Sequence, residues 1–124
     1  MKKVFVSGPL TSYGQRELNI LLANIVGQII YELGHAPFIP HQMTEKISRL
    51  TDKVSEDTYL KSCLLYLDCC DVLVQLPGWE FSTGSLTEYW HVMETSMPVI
   101  PLNVKYDNVK EFEDKARKIL EDDL

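Results

Sequence analysis

The sequence predicts an α/β fold: a parallel sheet of four to five strands between layers of helices. Two observations carry that reading. Short apolar runs rich in β-branched residues, such as Val4-Phe5-Val6 and Val72-Leu73-Val74, alternate with longer stretches whose apolar residues recur every three or four positions. Alternation of this kind implies parallel strands joined by right-handed helical crossovers. The length of 124 residues suits a single domain, 1–124, with one proper core.

Val4-Phe5-Val6 reads as the first strand, central in the sheet, and it stops at Ser7-Gly8-Pro9. The loop 7–14 is rich in Gly, Pro, Ser and Thr. It either brings backbone close to a ligand or simply connects strand to helix. Residues 15–33 form the first helix, ended by Gly34 at C′. Its Leu18, Leu21, Leu22, Ile25, Val26, Ile29, Ile30 and Leu33 cover more than one face. It is therefore expected to pack on the sheet and on a second body, for which a neighbouring subunit is the candidate.

Residues 36–40 make a short second strand whose two prolines suit a sheet edge. The stretch 41–55 is polar and weakly patterned, a mobile loop or a short helix. Ser55 caps the next helix, with Glu56 and Asp57 in its first turn and Leu60, Cys63, Leu64 and Leu67 as its inner stripe. Asp71 opens the third strand, 72–76. A loop with Pro77-Gly78 then leads to a helix from about 84 to 96, with Leu86, Tyr89, Trp90, Met93 and Met97 as its apolar stripe. Residues 98–102 are the fourth strand, and Val109, Phe112, Ala116, Ile119 and Leu120 define an amphipathic C-terminal helix.

Four such strands fit the order 2-1-3-4 of flavodoxin-like three-layer sandwiches. Strands one and three are then neighbours at the topological switch point, where these sheets bind ligands. The loops 7–14 and 77–84 must face each other across one cleft.

Composition narrows the partners. A net charge of −6, from 12 basic and 18 acidic residues, argues against a nucleic-acid polymer or an acidic membrane, both of which need a basic face. A small anion stays open, because amides at a helix start bind it without net positive charge. Cys63, Cys69 and Cys70 are odd in number and form no CxxC pair, which fits buried thiols in a reducing cytoplasm. The apolar start is too short for a signal peptide, and no stretch approaches the roughly 20 apolar residues of a membrane span. His35, His41 and His91 lack metal-ligand spacing and read as structural. No metal and no cofactor is expected.

Glu88 is the residue with two meanings. Ser85-Leu86-Thr87-Glu88 fits a capping box, in which the glutamate bonds back to the N-cap amide. Its position lies away from the Leu86 stripe, so no neutral role inside the core is expected. Facing the cleft, its carboxylate instead has the chemistry to attack a sugar carbon. Ser82, Thr83 and the amides around Gly84 are either caps or donors to a phosphate. Trp79 is either a packing residue or a flat face for a base or sugar. Tyr13 and Arg16 flank the first loop within reach of a ligand.

Two runs carry a family likeness: Phe5-Val6-Ser7-Gly8-Pro9, and Cys70-Asp71-Val72-Leu73-Val74-Gln75-Leu76-Pro77-Gly78-Trp79-Glu80-Phe81-Ser82-Thr83-Gly84-Ser85-Leu86-Thr87-Glu88. They resemble the nucleoside 2-deoxyribosyltransferase-like family, closest to its small members with a PGWExSxG-type loop. The resemblance implies a flavodoxin-like fold and a homo-oligomer, a dimer or higher, with sites near subunit interfaces. It implies a glutamate that attacks C1′ of a deoxyribonucleoside or its 5′-monophosphate, expels the base and forms a glycosyl ester, which another base or water resolves. Glu88 matches the nucleophile, and Ser82 a position that binds phosphate or a sugar hydroxyl. Gly8 and Pro9, next to Ser7, match the loop along the ligand; Trp79 and Gly84 complete the expected substrate-binding set.

Two positions depart from that pattern. Phe5 stands where the family often has a tyrosine hydroxyl near the nucleophile. Cys63 stands where active members carry an aspartate that helps protonate the leaving base, and a thiol does not replace that acid at neutral pH. Help of this kind is typically worth 10²–10⁴-fold. The expected function is an N-glycosidic-bond enzyme, transferase or hydrolase, acting on a small nucleoside or nucleotide. A nucleotide-binding module without turnover is one alternative. The other follows from Gly84-Ser85-Leu86-Thr87-Glu88, which is similar to the GTxxE end of cytokinin-activating phosphoribohydrolases.

Overall fold

The computed structural model describes residues 1–11 and 14–124. In chain order the elements are β1 (Lys3–Ser7), α1 (Arg16–Glu32), β2 (Ala36–Phe38), α2 (Pro40–Ser48), α3 (Glu56–Leu67), β3 (Val72–Gln75), a 3₁₀ turn (Trp79–Phe81), α4 (Thr83–Thr95), β4 (Val99–Pro101) and α5 (Val109–Asp123). The strands form one parallel sheet in the order β2-β1-β3-β4, the flavodoxin-like arrangement expected. The described residues contain these four strands and no fifth. Ser7 pairs with Gln75, so the carboxyl ends of β1 and β3 finish side by side.

Alternation along the strands divides the core into two layers. Val4, Val6, Val72, Val74 and Ile100 point to one face and join Leu22, Ile25, Val26, Ile29 and Ile30 of α1 with Phe112, Ala116 and Leu120 of α5. Phe5 and Leu73 point to the other and meet Leu67 of α3 and Val92 of α4. The second body behind the broad apolar surface of α1 is α5 of the same chain. An ion pair between Arg117 and Glu32 ties the two helices at 2.5 Å.

Local signals account for most boundaries. Gly34 has φ 84 and follows the C-cap Leu33, the left-handed stop that glycine makes at low cost. Ser55 caps α3 by accepting the Thr58 N–H at 3.1 Å. Within the stretch 41–55, residues to Ser48 belong to α2, which begins with Pro40 in its first turn, where the missing N–H costs nothing.

The orientation of α4 differs from its apolar pattern. Its buried residues are Ser85, Glu88 and Val92. Trp90 and Met93, expected in the inner stripe, are 64% and 45% exposed, and Leu86 and Tyr89 are only half-buried. The helix turns a partly polar face inward because that face meets the cleft and the end of β1, where Glu88 accepts from Ser7.

Candidate active site

One cleft of about 690 Å³ opens at the carboxyl ends of β1 and β3. The two expected loops do face each other across it. Ser7, Gly8, Leu10 and Thr11 line one side, and Ser82, Thr83, Gly84 and Ser85 the other. α2 and α3 close it with His41, Thr44, Tyr59, Leu60 and Cys63, and Arg16 reaches in from the start of α1. Arg16 also donates to Ser48 Oγ at 3.1 Å, which links α1 to α2 at the rim. Tyr13 lies outside the described residues.

Glu88 stands in the wall of this cleft, 6% exposed. Ser7 Oγ donates to its Oε1 at 2.6 Å, across 81 positions of sequence. Burial pushes the carboxyl up to about 7, against the opposing pull of the Ser7 hydroxyl. This corrects two expectations. Glu88 is buried, although its position away from the apolar stripe argues against a place inside the core. It is also no capping box, because the cap of α4 is Ser82, whose Oγ accepts the Ser85 N–H at 3.3 Å. Ser85 is itself inside the first turn, so Glu88 has no N-cap amide to reach back to.

The hydroxyl at Glu88 comes from Ser7, and Phe5 does not replace it. Phe5 is fully buried and packs on Phe38 with ring centroids 5.5 Å apart. Strand period two puts Phe5 and Ser7 on the same face, and only the later residue reaches the cleft. Cys63 lines the cleft on α3. Burial first, and the Glu88 carboxylate second, push its thiol up to about 11.

Gly8 is required by close packing. A Cβ there would meet the side chain of Leu76 at 2.6 Å. Pro9 is buried beside the cleft, its carbonyl 2.9 Å from His41 Nε2. Gly78 has φ 84 and approaches Pro9, so the two loops also touch behind the cleft. Trp79 does not line the cleft; its ring packs on Tyr89 with centroids 4.9 Å apart.

His41 is the site residue that sequence pattern did not single out. It is 4% exposed and lines the cleft. Burial holds its imidazole below its ordinary value, against the Pro9 and Gly8 carbonyls that favour the charged form. Among the described residues, three buried polar atoms of cleft-lining residues have no hydrogen-bond partner: His41 Nδ1, Tyr59 OH and Ser85 Oγ. Buried polar atoms are nearly always paired, so three orphans on residues of one cleft stand out. The start of α4 adds the positive end of its helix dipole.

Fold and site together define a flavodoxin-like α/β protein with a cleft at its switch point and a buried carboxyl in the cleft wall. The chain belongs to the family described as Domain of unknown function (DUF4406), which matches residues 2–101. No curated protein matches the chain. Among the described residues no helix is long and apolar enough to cross a membrane.

Proposed function

We propose that the chain is an N-glycosidic-bond enzyme acting on a nucleoside or its 5′-monophosphate, with Glu88 as nucleophile. One observation carries the reading: a buried carboxyl, held by one hydroxyl, in the wall of a cleft of about 690 Å³. That volume lies within the roughly 300–1,000 Å³ typical of small-molecule sites. The resemblance of residues 70–88 to the nucleoside 2-deoxyribosyltransferase-like family supports the same role.

In this reading Ser7 holds Oε1 and fixes the carboxylate. Ionised Glu88 attacks C1′ through its other oxygen. The C1′–N bond breaks, its electron pair leaves with the base, and the base takes a proton from solvent. A glycosyl ester on Glu88 remains. Water or a ring nitrogen of a second base then attacks C1′, gives up its proton to solvent and releases the carboxylate. Ser82 and Gly84, at the positive end of α4, hold the sugar hydroxyl or phosphate, and Ser7 and Gly8 lie along the ligand. Trp79 and Pro9 support the loops from behind.

The test is release of free base from a panel of nucleosides and 5′-monophosphates, followed by chromatography. Base release by the parent chain and its loss in Glu88→Ala, with binding retained, are the expected results. Binding without release from any member would replace this reading with that of a nucleotide-binding module. Cys63 favours that second reading, because a thiol near 11 is a poor proton donor to a leaving base at pH 7.

We also infer a homo-oligomer in which a second copy covers the α3–α4 layer. Leu65, Trp90 and Met93 are 71%, 64% and 45% exposed there. Large apolar side chains grouped on one layer are the usual mark of a protein interface. The free cysteines fit a reducing compartment such as the cytoplasm.

A further inference from the structure

We propose that a side pocket of the cleft selects the base: it takes one small hydrogen-bonding substituent, a hydroxyl or an amino group, read by the Tyr59 hydroxyl. The inference rests on the nucleoside reading of the cleft and deepens it. The side pocket lies where β2, α2 and α3 meet. Phe38, Met43 and Tyr66 give it apolar walls, and Thr44 and Ser62 small polar ones. Phe38 and Tyr66 stack at 4.5 Å with an interplanar angle of 21°, so one wall is a rigid aromatic pair. Tyr59 and Cys63 line both this pocket and the main cleft, so the two spaces adjoin.

Size and chemistry limit the occupant. The side pocket holds about 20 Å³, and one water-sized group needs roughly 10–15 Å³. It has room for one heavy atom with its hydrogens and none for a ring. Among the described residues the buried Tyr59 hydroxyl has no partner, an arrangement that is costly unless something pairs with it. A methyl group would fill the volume and leave that hydroxyl unpaired. A hydroxyl or amino group would do both.

Topology says which part of the ligand arrives there. Ser7 ends β1 and holds Glu88, and β1 lies between β2 and β3 in the sheet. The start of α4 follows β3 on one side, and Phe38 of β2 stands on the other. A sugar with C1′ over Glu88 and its hydroxyl or phosphate end at α4 directs its base toward β2. The base substituent is then the group that meets Tyr59.

The test is calorimetric binding to the Glu88→Gln chain, with base release by the parent chain measured alongside. Two series serve as ligands. One is 2′-deoxyuridine, thymidine and 5-hydroxy-2′-deoxyuridine; the other holds the 2′-deoxyribosides of purine, 6-methylpurine and adenine. In at least one series the hydroxyl or amino member should bind roughly three- to tenfold more tightly than its methyl counterpart. Tyr59→Phe should erase that preference and leave the methyl member's affinity unchanged, with a melting temperature equal to or above the parent's. Nucleosides that bind or are cleaved without this preference, or a preference that survives Tyr59→Phe, would overturn the selection by Tyr59 while the reading of the cleft stands. A folded protein that binds and cleaves none of them, neither as nucleosides nor as their 5′-monophosphates, would overturn both.

Discussion

Glu88 couples the site to the stability of the fold. Its carboxyl titrates at about 7 in the folded chain, raised by burial, against an unfolded value near 4.5. The folded state therefore holds a proton that the unfolded state has already lost between those values. Its contribution is fully present below about pH 4.5 and is lost as pH rises through 7, at a cost on the order of 3 kcal/mol. Glu88→Gln keeps the shape and an acceptor for Ser7 but cannot ionise. It should melt close to the parent at pH 4.5 and roughly 5–10 °C higher at pH 8. Equal melting temperatures at both pH values would show that the carboxyl is not held as described. None of this was legible in the spacing of the sequence, which placed Glu88 away from the core. The apolar residues of α4 mark its outer face, and its inner face carries Ser85 and Glu88, which hydrophobic periodicity passes over. Ser7 had a readable signal: it shares a strand face with Phe5, the position where a hydroxyl was sought.

Individual elements were read more completely than their partners. Strand order, the edge position of β2, the Ser55 cap and the Gly34 stop all follow from short-range rules of backbone and side chain. Which helix covers α1 did not, because the match between α1 and α5 is a long-range fit of two apolar faces. His41 was passed over because α2 is only nine residues of weak pattern. Two glycines test how these elements press together. Gly8→Ala sets a methyl against the Leu76 side chain at 2.6 Å, and part of that contact is Leu76 Cβ, fixed by its backbone. It should cost about 1–3 kcal/mol in urea unfolding and narrow the cleft. Gly27→Ala meets first the terminal methyl of Ile39, which can rotate away, and it gains up to about 1 kcal/mol of helix propensity. It should be nearly neutral. No loss in Gly8→Ala would mean that the loop after β1 is not pinned as described.

For the whole molecule, the two faces of the sheet are unequal. The α1–α5 face carries most of the fully buried apolar residues, and the α3–α4 face rests on Phe5, Leu67, Leu73 and Val92. The proposed second copy would supply what that thinner layer lacks. Trp90→Glu should then reduce an oligomer to a monomer in light scattering at micromolar concentration. A parent chain that is already monomeric there would end the proposal of self-association. The same inequality suggests where the cleft yields: its floor belongs to the sheet, and its α2–α3 wall is the lightly anchored part.

The bond between Ser7 and Glu88 spans 81 positions of chain. The hydroxyl belongs to the first half of the molecule and the carboxyl to the second, and neither half holds the pair alone. A cut in the exposed connection at 49–54 would leave them on separate pieces, one with β1 and β2, the other with β3 and β4. Pairing of β1 with β3, and docking of α5 on α1, are the contacts that would bring the pieces back. Any chemistry of this cleft would then report reassembly: a two-part switch written into the order of the strands.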